Sequence, residues 1–304
     1  MIKSKTISLA AVLLLGGAAL VVWQWPSRGH QTAPDISNAA PADKEKPQPE
    51  SDIEIITSGR AGEAHGRAIE TADRIARQQG ALDDAAASRL LAYISSTKPF
   101  SLSDGDWQHL VNSSLNALRT HPAAPVKHRL SETLIQMARS HRDPVLRLYA
   151  LQHISFWYAQ EPDSTKKKQL VTLLVQLSRE GDEAGTATMV ISDLQRAGKL
   201  PTGKQDTAAL NRTALRLMSD SNAATDVRIS ALHTLTDRRV TGILPEVRRI
   251  AEDQKELIIL RKAAIFAIGR LGNPVDDADR LKSLSKENTR LAQAATPALK
   301  HLSK

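Results

Sequence analysis

Residues 257–272 read Leu-Ile-Ile-Leu-Arg-Lys-Ala-Ala-Ile-Phe-Ala-Ile-Gly-Arg-Leu-Gly, and they constrain the fold more than any other stretch. Apolar side chains at Leu257, Leu260, Ala264, Ala267, Ile268 and Leu271 recur at helical spacing, and Gly272 is placed to end the helix. Alanines at 263, 264 and 267 let a neighbouring helix approach closely. Such a helix cannot bury its apolar face alone, so the chain must supply others like it. Aromatic residues make up only 3% of the chain, so leucine, alanine, isoleucine and valine must build the core, a composition suited to helix-on-helix packing. Cysteine is absent, which excludes disulfides, thiolate metal sites and thiol catalysis.

The companions appear from residue 143 onward. Asp143-Pro144 is an N-cap followed by proline in the first helical turn, opening the apolar pattern of residues 145–154. Residues 226–235 and 260–268 have the same form. Aligned on a small residue, the units place Ala150, Ala187, Ala231, Ala264 and Ala295 in register, with Ile154, Ile191, Leu235, Ile268 and Leu299 four positions later. Four positions earlier stand Leu146, Glu183, Val227, Leu260 and Leu291, so the unit with Glu183 is the weakest member. Successive alanines are 37, 44, 33 and 31 residues apart, in the range of a helix-pair repeat. Partner helices are expected over 168–179, 207–219, 244–253 and 275–284. Residues 53–142 show four further helical patterns: 53–79, broken near 59–66 and stopped at Gly80; 82–95; a helix opened by Ser103-Asp-Gly-Asp106; and 126–140. No segment alternates with period two over strand length. The expected fold is all-α, an α-solenoid of antiparallel helix pairs, with residues 53–142 as its helical N-terminal part and 143–304 as its repeats.

The pattern hydrophobic-Arg-x-x-Ala-x-x-x-hydrophobic resembles HEAT and HEAT-like repeats. It is best matched at residues 260–272 and well matched at 227–235 and 146–154, within residues 143–302. The unit of Ala187 lacks the arginine, and that of Ala295 has Ala292 there. The resemblance implies an array of helix pairs and a binding surface, and no chemistry.

Ahead of the array, Thr6 to Val22 are uncharged, close to the shortest length that crosses a bilayer as a helix. Trp23 and Trp25 follow where interfacial aromatics sit, and Lys3 and Lys5 precede, which orients the N-terminus inward. Residues 1–25 are therefore expected to anchor the chain in the cytoplasmic membrane as a single pass, with the C-terminal part extracytoplasmic (periplasmic). The rival is a signal peptide cleaved at Gly17-Ala18-Ala19, which leaves a secreted or periplasmic protein. Apolar character running on through Leu20-Val21-Val22-Trp23 favours the anchor. Residues 26–52 hold Pro26, Pro34, Pro41, Pro47 and Pro49 with few large apolar residues, and read as a disordered linker. Acidic and basic side chains balance over residues 1–52, so the formal charge of +8 belongs to residues 53–304.

Motifs for chemistry are absent. None of the nine histidines sits in a metal-ligand spacing, and no GxSxG, P-loop or GxGxxG occurs, so neither metal nor cofactor is expected. His153 and His233 follow aligned alanines closely and read as helix-surface or inter-repeat residues. The pairs Asp83-Asp84 and Asp276-Asp277 fall at expected helix starts, where acids complement the dipole. Asn112-Ser-Ser114 and Asn211-Arg-Thr213 match the glycosylation sequon. Arg147, Arg228 and Arg261 recur at one repeat position, beside Ala150, Ala231 and Ala264, which points to stacking between units, paired with acids of adjacent ones. Basic residues off the apolar stripes of the partner helices are candidates for partner binding: Arg212, Arg216, Arg248 and Arg249, with Lys166-Lys167-Lys168, Arg280 and Lys282 beside them. Placed on the second helix of each pair, they would line a basic groove. The expected function is a membrane-tethered, non-enzymatic scaffold for a protein partner. The alternative is a binder of anionic polymers, a surface glycan rather than nucleic acid if the chain is exported. An enzyme assembled from scattered acids and histidines is the third possibility.

Overall fold

The computed structural model describes residues 51–303 except residue 61, residues 79–81 and residues 121–123. The expected anchor at 1–25, nearly all of the linker at 26–52 and the stop at Gly80 lie outside the described residues. Among those described, no helix is long and apolar enough to cross a membrane.

The described chain is all-helical, with fourteen α-helices and no strand. They follow one another in pairs: α1 (Asp52–Thr57) with α2 (Glu63–Arg77), α3 (Asp84–Ile94) with α4 (Asp104–Thr120), and α5 (Ala124–Ser140) with α6 (Pro144–Trp157). Next come α7 (Ser164–Leu177) with α8 (Ala184–Arg196) and α9 (Lys204–Ser219) with α10 (Thr225–Asp237). A 3-10 turn at Thr241–Ile243 leads into α11 (Leu244–Glu252) with α12 (Ile258–Leu271), and α13 (Pro274–Glu287) pairs with α14 (Thr289–Leu302). Each pair packs together across its turn. The even-numbered helices then stack in chain order, α2 on α4 and so on to α12 on α14. Among the odd-numbered helices, α1, α3, α5 and α7 stack likewise, but from α7 onward the odd layer is looser and the even layer carries the close contacts. This order is consistent with an α-solenoid.

Local chemistry sets the boundaries. Ser51 and Glu54 form a reciprocal capping box, in which the Glu54 N–H donates to Ser51 Oγ (3.3 Å) and the Ser51 N–H to Glu54 Oε2 (2.9 Å). Ser51 thus caps α1 and Asp52 opens it, so the folded part begins ahead of the linker end expected at residue 52. Asp143 caps α6 by accepting the Val145 N–H at 2.8 Å, and Ser103 Oγ accepts the Asp106 N–H at 3.1 Å at the start of α4. Gly272 ends α12 for a reason the sequence did not suggest. Its backbone is extended (φ −72°, ψ 179°), and a side chain there would collide with the Asp277 carboxylate and the Ile268 carbonyl.

Small residues explain the close even layer. The aligned alanines 150, 187, 231, 264 and 295 are all fully buried. A Cβ on Gly185 of α8 would lie 2.7 Å from Val227 Cα of α10, and one on Gly269 of α12 would lie 2.7 Å from Ala298 Cα of α14. Helices α8 and α10 are buried almost all round as a result. The apolar interior forms two clusters, one reaching from α1 to Leu210 of α9, the other from Ala184 of α8 to Leu302 of α14.

Candidate functional site

The repeat arginines sit inside the array. Arg228 of α10 is 4% exposed. It donates from Nη1 and Nη2 to the Glu256 carboxylate at 2.8 and 2.7 Å, and from Nε to the Met218 carbonyl at 3.1 Å. Arg261 of α12 repeats the arrangement with Glu287 (2.8 Å) and the Ala251 carbonyl (2.9 Å). Arg147 of α6 does so with Glu183 and the His141 carbonyl (2.9 Å). Each guanidinium thus ties the end of the preceding odd helix to an acid just ahead of, or capping, the next even helix. Glu183, the polar misfit of the sequence alignment, is the N-cap of α8 and the acid that Arg147 meets.

The basic groove expected on the second helices takes a different position. The pairing of α9 with α10 and α11 with α12 makes α9 and α11, which carry Arg212, Arg216, Arg248 and Arg249, the first helices of their pairs. Much of their charge is answered. Arg248 makes a bidentate pair with Asp277 at 2.8 Å through Nε and Nη2, which holds its guanidinium proton more tightly than usual. Arg249 meets Glu246 (2.7 Å) and Asp253 (3.4 Å), Arg280 meets Glu252, and Lys282 meets Asp279 (2.8 Å). Arg216 donates to the Arg179 carbonyl. Arg212 is exposed and makes no ion pair among the described residues. Asp277 does more than complement a dipole, since it is fully buried and also accepts the Asn273 N–H at 3.1 Å.

Other polar groups are also tied to neighbours within the fold. Glu161 is 1% exposed and accepts bonds from Ser131, Trp157 Nε1 (3.3 Å) and the Asp163 N–H (2.9 Å), so it is an interior knot rather than a solvent-facing acid. Among the described residues, no three histidine or carboxylate side chains converge as a metal site. Both sequons lie within helices. Asn112 Oδ1 bonds His153 Nε2 (3.0 Å) while Ser113 and Ser114 are buried, and Asn211 Oδ1 accepts from Arg238 at 2.7 Å.

A further row open to solvent lies on the even helices, opposite the aligned alanines. Two and six residues after the first four of these alanines stand Gln152 and Phe156 on α6, and Met189 and Asp193 on α8. The equivalents are His233 and Asp237 on α10, and Phe266 and Arg270 on α12. All eight keep some exposure on helices that bury most of their surface. Phe156 is 43% and Phe266 40% exposed, and each lies under an arginine: Arg119 of α4 is 4.3 Å from the Phe156 ring centre, and Arg270 is 5.6 Å from that of Phe266. Between them runs a charged strip, in which Arg196 meets Asp193 (2.6 Å) and Asp237 (3.5 Å), and Asp237 also faces Arg270 at 3.9 Å. Burial raises the Asp193 pKa, against the opposing effect of Arg196. His153, behind Phe156, is 5% exposed, and burial, aided by the Arg119 charge, pulls its pKa down to about 3. Burial also lowers the His233 pKa, with Asp237 opposing and Arg270 reinforcing the shift.

The row carries a single basic side chain among its eight, Arg270, so charge alone does not mark it in the sequence. The signal was present: at about 100° per residue, positions two and six after an alanine fall near 200° and 240°, on the far side of the helix. No protein-family model matches the chain, and no curated protein matches it significantly.

Proposed function

We propose that the protein is a non-enzymatic interaction scaffold: a HEAT-like α-solenoid, held at the outer face of the cytoplasmic membrane by residues 6–25 through the linker, that presents its even helices to a protein partner. The observation that carries this reading is the exposure of Phe156 and Phe266 on helices α6 and α12, each beside an arginine. Exposed aromatics beside arginines are the residues that dominate protein interfaces. The repeating register of alanine and arginine supports the HEAT-like assignment, and the uncharged stretch from Thr6 to Val22 supports the anchor. Against the anionic-polymer alternative stand the carboxylates on Arg248, Arg249, Arg280 and Lys282, which cancel the charge a polymer would need.

Affinity capture of the full chain from detergent-solubilised membranes tests the scaffold. A partner is expected with the wild type and should be lost with the double variant Phe156→Ser, Phe266→Ser. Equal recovery from both would remove the even face from consideration. Alkaline carbonate washing should leave the protein in the membrane fraction, and its complete release would end the anchor part of the proposal.

A further inference from the structure

On the free face of α4 and α6 lies a charge that the array does not answer. Among the described residues Arg119 has one hydrogen bond, from Nη2 to Asn116 Oδ1 at 3.2 Å, and its guanidinium lies over the Phe156 ring. Its Nε is buried and unpartnered. No carboxylate pairs with it among the described residues, and the chain that follows, residues 121–128, contains no acid. Arg147, Arg228, Arg248 and Arg261 are the contrast, each holding a carboxylate. Beside Arg119, His153 Nδ1 is a second buried polar atom without a partner, on a side chain that is 5% exposed. Removing a guanidinium from water without an ion pair is unfavourable. Burial lowers its pKa, yet an arginine keeps its proton. An unanswered, partly desolvated cation at the rim of an exposed aromatic ring has the composition of half an interface.

We propose that Arg119 and Phe156 form the anchoring point of the scaffold's partner, with Arg119 taking an aspartate or glutamate side chain of that partner and Phe156 covered by the apolar neighbours of that acid. The inference rests on the scaffold reading and gives the partner its chemistry. Contact with the Phe156 ring holds the guanidinium in place and leaves N–H groups for a carboxylate. A small anion would answer the charge but leave Phe156 in water, whereas an acidic side chain carried on a polypeptide answers both. Seating the partner there completes the desolvation of a site already half dry, where a charged pair is stronger than at an open surface.

The test is site-specific photo-cross-linking in the full chain, in its own membranes. A benzophenone amino acid replaces Gln152, one turn before Phe156 on α6, and in a second protein replaces Val175, an exposed residue of α7 on the other layer. The expected result is a link from position 152 to a partner segment containing an aspartate or glutamate. Arg119→Gln should lower its yield by about 30-fold. Arg119→Glu should abolish the link, and changing the mapped acid to lysine should restore it. The Tm of Arg119→Gln should equal or exceed that of the wild type, because an unpaired, half-buried charge is removed. A lowered Tm would make Arg119 structural and overturn the proposal. So would a link to residues 26–50 of the same chain, a link indifferent to Arg119, or a partner found only from position 175. A link indifferent to Arg119 leaves the scaffold reading standing, a partner found only from position 175 leaves a scaffold but removes its even face, and no partner from either position would overturn both.

Discussion

Arg228 shows how much the interior of this protein depends on single side chains. It is 4% exposed, and its partner Glu256 keeps only 15% of its side chain in solvent, so loss of the arginine strands a carboxylate and the Met218 carbonyl. Breaking such a pair from one side costs about 3 kcal/mol, and at roughly 2–4 °C per kcal/mol for a chain of this size Arg228→Ala should lower Tm by about 6–12 °C. Arg228→Met with Glu256→Met should recover at least half of that loss, since no unpaired charge remains. A single variant melting like the wild type would refute the role given to the repeat arginines. His153 makes the complementary case, a group that is stable because it is uncharged. Its folded pKa of about 3 lies below the ordinary 6.5. Above pH 6.5 both folded and unfolded chains carry the neutral ring, and His153 adds no pH dependence. As pH falls from 6.5 towards 3 only the unfolded chain takes up the proton, so stability drops by up to about 1.4 kcal/mol per pH unit. His153→Gln can still donate to Asn112 and cannot titrate, so its plot of Tm against pH should be shallower on the acid side. Parallel acid limbs for the two proteins would show that His153 is not buried as a neutral ring.

Among the helices, the glycines of the even layer decide between propensity and packing. In an open helical position, glycine to alanine stabilises by up to about 1 kcal/mol. Gly66 of α2 is such a position, with nothing within 4 Å of a built Cβ, and Gly66→Ala should raise Tm. At Gly269 the new methyl meets Ala298 Cα and Cβ at 2.7 Å, and a backbone atom cannot turn aside. Overpacking of this kind costs about 1–3 kcal/mol, so Gly269→Ala should be a net loss measured by thermal melting. If both variants stabilise, α12 and α14 are not in the contact that the stacking requires. These helices were legible in the chain from local cues alone: the apolar period, Asp143-Pro144, Ser103 ahead of α4, and the run of alanines at 263, 264 and 267. Which helix pairs with which was not, because periodicity identifies an apolar face without saying what covers it. Hence α9 and α11 were expected as second helices. The charge partners were hidden for the same reason. Arg248 and Asp277, or Arg119 and Phe156, are neighbours only once the helices stack, and a count of basic residues cannot show which of them already hold an acid.

At the scale of the whole array, each pair of helices makes its close contacts with its neighbours, so stability should be a sum of local terms rather than a property of one core. The interior bears this division. One apolar cluster spans α1 to α9 and contains Leu110, the other spans α8 to α14 and contains Ile268, and both residues are almost completely buried. The two clusters meet at α8 and α9, which contribute side chains to each. Truncating either side chain to alanine should cost about 2–5 kcal/mol, and the question is where the loss is felt. With nearest-neighbour coupling, Ile268→Ala should speed amide hydrogen exchange in α10 to α14 and leave α2 to α6 at wild-type protection, while Leu110→Ala should do the reverse. In both variants α8 should respond, though by less than the damaged half, because it contributes to both clusters and is held from both sides. Exchange that rises evenly along the chain in either variant would mean that residues 51–304 open as one cooperative block, and a partner bound at α4 and α6 would then stabilise α12 and α14 as much as its own site.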